Sequence, residues 1–174
     1  QLLHSVDGSV PEGALCALMG PSGSGKSTLL DLLTGRRAVG RCKGEIFFEG
    51  QSIVEQQVRR SADSYILKCG YMRQDNTGFL NGLTVFENLV YAAMLRMPGT
   101  LEAQMSRVAT VIEETALLRS RDVKAGSLSG GQKRRLTLAL ELLADRRILL
   151  LDEPTSGLDA TASLDLLRIL KRLS

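Results

Sequence analysis

The sequence predicts an α/β fold built on a mostly parallel core sheet, with an antiparallel flap towards its N-terminus and a helical subdomain inserted between core strands. Three observations lead there. Gly20-Pro21-Ser22-Gly23-Ser24-Gly25-Lys26-Ser27-Thr28 matches the phosphate-binding loop pattern G-x-x-x-x-G-K-[ST] in full, with an apolar run (Ala14 to Met19) before it and helix-spaced leucines after it. Ile148-Leu149-Leu150-Leu151 is a continuous apolar run of the length of a buried parallel strand, and it ends in Asp152-Glu153-Pro154. Between them, residues 84–126 read as a pair of amphipathic helices.

Chemistry explains the loop. Gly20, Gly23 and Gly25 permit backbone angles and close approach that a Cβ would forbid, so successive N–H groups can turn inward around phosphate oxygens. A helix starting near Lys26 adds the positive end of its dipole, the Lys26 ammonium can reach terminal phosphates, and Ser27 is left to hold Mg²⁺. A plain Gly/Ser-rich turn is the competing reading, and the complete set of fixed positions weighs against it.

Composition sets the bounds. With 174 residues, 44% of them hydrophobic, the chain is long enough for one domain with its own core. A net charge of +3 is too small to argue for nucleic acid, and no nucleic-acid partner is expected. Lys133-Arg134-Arg135, the densest basic run, opens a helix and reads as a solvated or partner-facing turn. Cys16, Cys42 and Cys69 are odd in number and lack C-x-x-C spacing, which points to a reducing compartment rather than to zinc or disulfides. No apolar run reaches membrane-spanning length and no signal peptide opens the chain, so any spanning segment is expected elsewhere.

Along the chain, Gly8 and Pro11-Glu12-Gly13 read as turns around a short flap strand, and Leu15 to Met19 as the core strand before the phosphate loop. Gly35 marks the stop of the first helix. Glu45 to Phe48 is a short strand closed by Glu49-Gly50, Ile53 to Arg60 one or two helical turns, and Leu67 to Met72 a further strand. Thr84-Val85-Phe86-Glu87 forms a capping box, and Phe86, Leu89, Val90, Ala93, Met94 and Met97 follow at helical spacing until Pro98-Gly99. A second helix runs from about Leu101 to Leu118 with Met105, Val108, Ala109, Ile112 and Ala116 on one stripe. The methionines of this pair read as core filler or as a face for a partner helix. Beyond Gly126, Leu128-Ser129-Gly130-Gly131-Gln132 opens a helix that is apolar nearly all round from Leu136 to Ala144, which requires burial. Leu166, Ile169, Leu170 and Leu173 make the last helix amphipathic.

Carboxylates at the C-terminal end of a parallel strand sit where ligands bind in open α/β sheets. Adjacent strand residues point to different sides, so Asp152 and Glu153 take different tasks. Asp152 is expected to hold Mg²⁺ with Ser27, and Glu153 to act as general base on the attacking water. Ser129-Gly130-Gly131-Gln132 then places a hydroxyl at an N-cap and two bare glycine backbones on a second helix tip. In isolation this is an ordinary Ser-capped helix. Beside a phosphate loop it suggests two copies meeting head to tail, each covering the other's triphosphate.

Together these residues resemble the nucleotide-binding domain of ATP-binding cassette (ABC) proteins, a branch of the P-loop NTPases. Leu128 to Gln132 matches the family signature, Ile148 to Glu153 its Walker B segment, Ser156-Gly157-Leu158-Asp159 its D-loop, and Gln74 in Tyr71-Met72-Arg73-Gln74-Asp75 its Q-loop glutamine. The resemblance spans about Leu2 to Ser174. It implies ATP and Mg²⁺ as cofactors and a second nucleotide-binding domain, identical or not, as partner. Gln74 is implied to sense metal and attacking water, Ser129, Gly130, Gly131 and Gln132 to meet the nucleotide held by the other copy, and Asp159 to join the two sites. Thr34-Gly35-Arg36-Arg37, Tyr71 to Asp75, Leu83-Thr84-Val85, Leu95-Arg96-Met97-Pro98 and Leu140-Glu141-Leu142 resemble the G subfamily of white-type half transporters. That likeness implies an ATPase driving export at the cytoplasmic face of a membrane, with the transmembrane domain on another part of the polypeptide.

Two features of the family's pattern are not matched. Its switch histidine falls beyond Ser174, and His4, the only histidine, is too early to serve; no aromatic precedes Phe47 to stack on adenine. The chain is therefore read as a single domain lacking its closing C-terminal strands. A soluble family member using the ATP sandwich as a clamp is the alternative function, although no sustained heptads lie between Lys26 and Ser129 for the DNA-repair type. A degenerate, non-hydrolysing domain is opposed by Glu153, a phosphate-loop kinase by the signature helix, and GTP preference by the lack of Asn-Lys-x-Asp.

Overall fold

The computed structural model describes residues 3–34, 43–52, 68–73, 78–144 and 146–174. They belong to two compact units, Gln1–Tyr71 with Arg146–Asp152, and Met72–Asp145 with Glu153–Ser174.

In the first unit, the phosphate loop runs into α1 (Lys26–Leu33), whose buried residue is Leu30. A hairpin follows, β1 (Phe47–Phe48) paired antiparallel with β2 (Gln51–Ser52), with Phe47 opposite Ser52 and Phe48 opposite Gln51. Its two loop residues, Glu49 and Gly50, both have positive φ (51° and 75°), as a two-residue type I′ turn requires. β3 (Cys69–Met72) pairs with β4 (Ile148–Leu151), two strands far apart in sequence. The Arg147 N–H donates to the Lys68 carbonyl at 2.9 Å and extends that pairing by one step. Cys69 packs with Ile46, Phe48, Ile148 and Leu150 to form the small core here.

Three expectations are corrected in this unit. The antiparallel element is the 47–52 hairpin, and residues 3–10 are in no strand. Leu15 to Met19 also form no strand, and Leu15, Leu18 and Met19 are exposed, Met19 at 88%. A core strand is made by ladder partners on both edges, and none of the described residues supplies one to this run. β4 is half-buried at all four residues, where its apolar run predicted full burial, while β3 is buried throughout. The expected stop at Gly35, the turns at 53–60 and Leu67 lie outside the described residues, although the strand predicted there is present from Cys69 onward.

The second unit is helical. α2 (Val85–Arg96) starts at the predicted capping box: the Thr84 hydroxyl accepts from the Glu87 N–H at 3.1 Å, and the Glu87 carboxylate accepts from the Thr84 N–H at 2.8 Å. α3 (Leu101–Glu114) is shorter than its apolar periodicity suggests. Thr115 caps it, Ala116 turns left-handed (φ 53°), and the Leu117 and Ala116 N–H groups bond back to the Ile112 and Glu113 carbonyls at 2.9 and 3.0 Å. This is a Schellman stop with alanine where glycine is usual. Its buried stripe is Gln104, Val108, Val111 and Ile112, so Ala109 and Ala116 are not core residues. Gln104 is inside because its Nε2 donates to the Met97 carbonyl at 2.8 Å, closing the α2–α3 link.

α4 (Gly130–Leu142) is buried from Leu136 to Leu140, within the apolar stretch predicted to be inside, and it packs with α2 and α3 in a core that includes Leu89, Val108, Ile112, Leu136 and Leu140. α5 (Ala160–Leu173) buries Leu166, Ile169 and Leu170. The fold class is that of a P-loop NTPase, α/β with a parallel sheet.

Candidate functional site

The residues proposed for chemistry fall at three helix or strand ends. At the first, Gly23 and Gly25 have φ of 79° and 94°, a region that L side chains rarely occupy. At Gly20 a Cβ would lie 2.8 Å from the Ser24 hydroxyl oxygen, so the serine side chain would have to turn away. Gly25 is the N-cap of α1 and no side chain caps this helix, so its first-turn N–H groups face the loop without a competing hydroxyl or carboxylate. The Lys26 ammonium donates to the Gly20 and Pro21 carbonyls, both at 2.9 Å, which places a cation across the mouth of the loop. Pro21, Ser22, Ser24 and Ser27 are exposed, and Thr28 is half-buried. This is a turn that combines a cation with uncapped helix N–H groups, a chemistry suited to phosphate.

At the end of β4, Asp152 is half-buried and accepts a long hydrogen bond, 3.5 Å, from the hydroxyl of the buried Tyr71 on β3. Among the described residues no group of three His, Cys, Asp or Glu side chains gathers. One carboxylate and one serine hydroxyl suit Mg²⁺ rather than Zn²⁺, because Mg²⁺ keeps several waters and takes phosphate oxygens as ligands. The donors Ser27 and Asp152 therefore fit that ion.

Glu153 is exposed and has a positive φ of 45°, unusual for any residue with a Cβ. Its carbonyl accepts from the Ser156 N–H at 3.0 Å and from the guanidinium of Arg134 on α4. Gln74 lies outside the described residues.

The α4 tip is built as a reciprocal cap. The Ser129 hydroxyl accepts from the Gln132 N–H at 3.3 Å, Gln132 Oε1 accepts from the Ser129 N–H at 2.9 Å, and Gln132 Nε2 donates to the Ser120 hydroxyl at 2.8 Å. Both ends of the Gln132 amide are thus engaged within the fold, and the Gly130 and Gly131 backbones form the outward tip. The two glycines differ. A Cβ on Gly130 would sit in ordinary contact, 3.7 Å from Leu158, whereas one on Gly131 would press to 3.1 Å from the Ala162 methyl of α5. Asp159 is the exposed N-cap residue of α5.

The basic run at 133–135 is not the solvated turn it resembles. Arg134 is only 1% exposed and donates to backbone carbonyls of Pro154 (2.9 Å) and Arg73 (3.1 Å) besides Glu153. Helical spacing gives Arg134 only its neighbours on one face, Thr137 and Leu138, and not its acceptors, which lie on segments distant in sequence. Tyr71 had no comparable signal.

Comparison with known proteins gives the family. The family model described as "ABC transporter" matches residues 3–156. ABC transporter G family member 24 of Dictyostelium discoideum is 42% identical over 181 residues, covering 100% of this chain and 15% of the relative. ABC transporter G family member STR2 of Medicago truncatula is 39% identical over 173 residues, covering 95% of this chain and 23% of the relative. The chain thus spans less than a quarter of the length of these two relatives. Among solved structures, CbiO1 from Clostridium perfringens, part of the ABC transporter complex CbiONQ, superposes with a TM-score of 0.83 at 25% identity, over 99% of this chain and 66% of that one. On the family match over residues 3–156 and these relatives, the chain belongs to the ABC transporter family, as a nucleotide-binding domain most like those of the G subfamily.

Proposed function

We propose that this domain binds and hydrolyses Mg²⁺-ATP and that, in the complete protein, hydrolysis drives export of a substrate across a membrane from its cytoplasmic face. The observation that carries the reading is the pair of glycine-bearing helix tips, Gly25–Lys26 on α1 and Gly130–Gly131 on α4, each presenting backbone N–H groups. One nucleotide needs one such cradle around its phosphates. Two on one chain suit a head-to-tail pair in which the Ser129 tip of each copy closes on the nucleotide in the other's loop, with Asp159 at the seam.

In that arrangement the loop N–H groups and Lys26 bind the β- and γ-phosphates and orient them. Ser27, Asp152 and Gln74 hold Mg²⁺, which when bound neutralises phosphate charge. Glu153 takes the proton from the water that attacks the γ-phosphorus, ADP departs, and the pair opens. No helix among the described residues is long and apolar enough to cross a membrane, and the domain is assigned a membrane-spanning partner on other parts of the polypeptide. Tyr91, Met94 and Leu95 of α2 are exposed and support a docking face for it.

The test is Glu153→Gln in the full-length protein. ATP binding is expected to persist, turnover to stop, and an ATP-bound dimer to accumulate. Unchanged turnover would remove Glu153 as the base.

A further inference from the structure

We infer that Arg134 is a positioning residue for hydrolysis, its buried guanidinium holding the Glu153–Pro154 backbone in the conformation from which the Glu153 carboxyl works. The inference rests on the proposed role of Glu153 as base.

Glu153 occupies a left-handed backbone conformation (φ 45°) although it carries a Cβ and precedes a proline, two conditions that restrict its choices. Such a conformation persists only where surrounding bonds over-determine it. Here the Glu153 carbonyl receives two donors, the Ser156 N–H and Arg134 Nη2, and the next carbonyl, that of Pro154, receives Arg134 Nε at 2.9 Å. Two consecutive peptide planes are thereby fixed by one rigid, planar side chain. Its other amino group, Nη1, donates to Arg73 at 3.1 Å, so the fork is itself anchored on a second segment.

A charge buried to 1% exposure is costly where packing alone is required, because an apolar side chain of similar size fills the same volume without desolvation. Arginine is suited to the place by its donors in fixed directions. Lysine offers a single nitrogen and cannot reach carbonyls on both segments with the same geometry.

The experiment compares Arg134→Lys and Arg134→Met in the full-length protein, alone and with Glu153→Gln, by steady-state ATPase kinetics and ATP affinity. Both single variants are expected to bind ATP with KM within about twofold of the parent while kcat falls, roughly tenfold to 100-fold for Arg134→Met and less for Arg134→Lys. Added to Glu153→Gln, neither should lower turnover further, because the two residues act as one unit. An unaffected kcat in Arg134→Lys beside an inactive Glu153→Gln removes this inference alone. Full turnover in Glu153→Gln removes the base reading and this inference with it. Loss of ATP binding in parallel with kcat, or failure of both variants to fold, makes Arg134 a core strut and also overturns the proposal.

Discussion

Asn88 grips both ends of Leu80's polar backbone: its Oδ1 accepts from the Leu80 N–H at 2.7 Å and its Nδ2 donates to the Leu80 carbonyl at 3.1 Å. The same amide nitrogen also donates to the Leu83 and Thr84 carbonyls at 3.3 and 2.9 Å. One side chain, 6% exposed on α2, thus imitates a strand partner for the loop that enters the helix. Asn88→Ala leaves the Leu80 N–H without its acceptor, while the Leu80, Leu83 and Thr84 carbonyls keep backbone donors, and is expected to cost about 2 kcal/mol of unfolding free energy. Denaturant melts of the two proteins check this, and a difference below about 0.5 kcal/mol would contradict it.

Glu87, in the same cap, has its carboxyl held below the ordinary value of 4.5, first by the Thr84 backbone N–H, then by the Thr84 hydroxyl, with the Lys124 charge assisting. A lowered folded-state pKa contributes stability above the unfolded value, and this is lost as pH falls through the folded one. Glu87→Gln keeps an acceptor and removes the titration. The parent is therefore expected to lose stability relative to Glu87→Gln as pH drops below 4.5, with a constant difference at higher pH. Parallel pH profiles would refute the assignment.

The glycines of the α4 tip separate packing from function. Alanine is the better helix former by up to about 1 kcal/mol. Gly130→Ala, with ordinary contact to Leu158, should keep that gain, whereas Gly131→Ala, pressed against Ala162, should lose about 1 kcal/mol to a forced shift of α4 against α5. Thermal melts should rank Gly130→Ala at or above the parent and Gly131→Ala below it. The stable Gly130→Ala protein is still expected to lose turnover, because Gly130 belongs to the helix tip proposed to meet the nucleotide of the other copy. Full activity would take the tip out of nucleotide contact.

Lys26 makes its bonds within its own loop, to Gly20 and Pro21. Lys26→Ala removes the cation from the loop mouth and should raise the Kd for ATP at least about tenfold, the size of one lost hydrogen bond to a charged group. Equilibrium binding with a fluorescent ATP analogue measures it, and unchanged affinity would undo the phosphate-loop assignment.

Ala116 stops α3 in a left-handed conformation at φ 53°. Glycine there relieves the Cβ clash but frees the unfolded chain, so Ala116→Gly is expected to stabilise by a net amount of about 0.5 kcal/mol. A destabilised variant would show that the alanine methyl is held by packing.

What the sequence determined by itself is local. The phosphate loop with its positive-φ glycines, the reciprocal caps at Thr84 and Ser129, and the two amphipathic helices beyond Thr84 were legible because each is closed by atoms within about four residues of one another. Tertiary structure decided what depends on distant partners. It put Arg134 inside and set it on the carbonyls of Arg73, Glu153 and Pro154, gave Gly131 a packing reason through Ala162, and kept the apolar run at 14–19 out of any strand. An arginine's burial or a strand's existence is a property of the segments that meet it, and those are brought together only by folding.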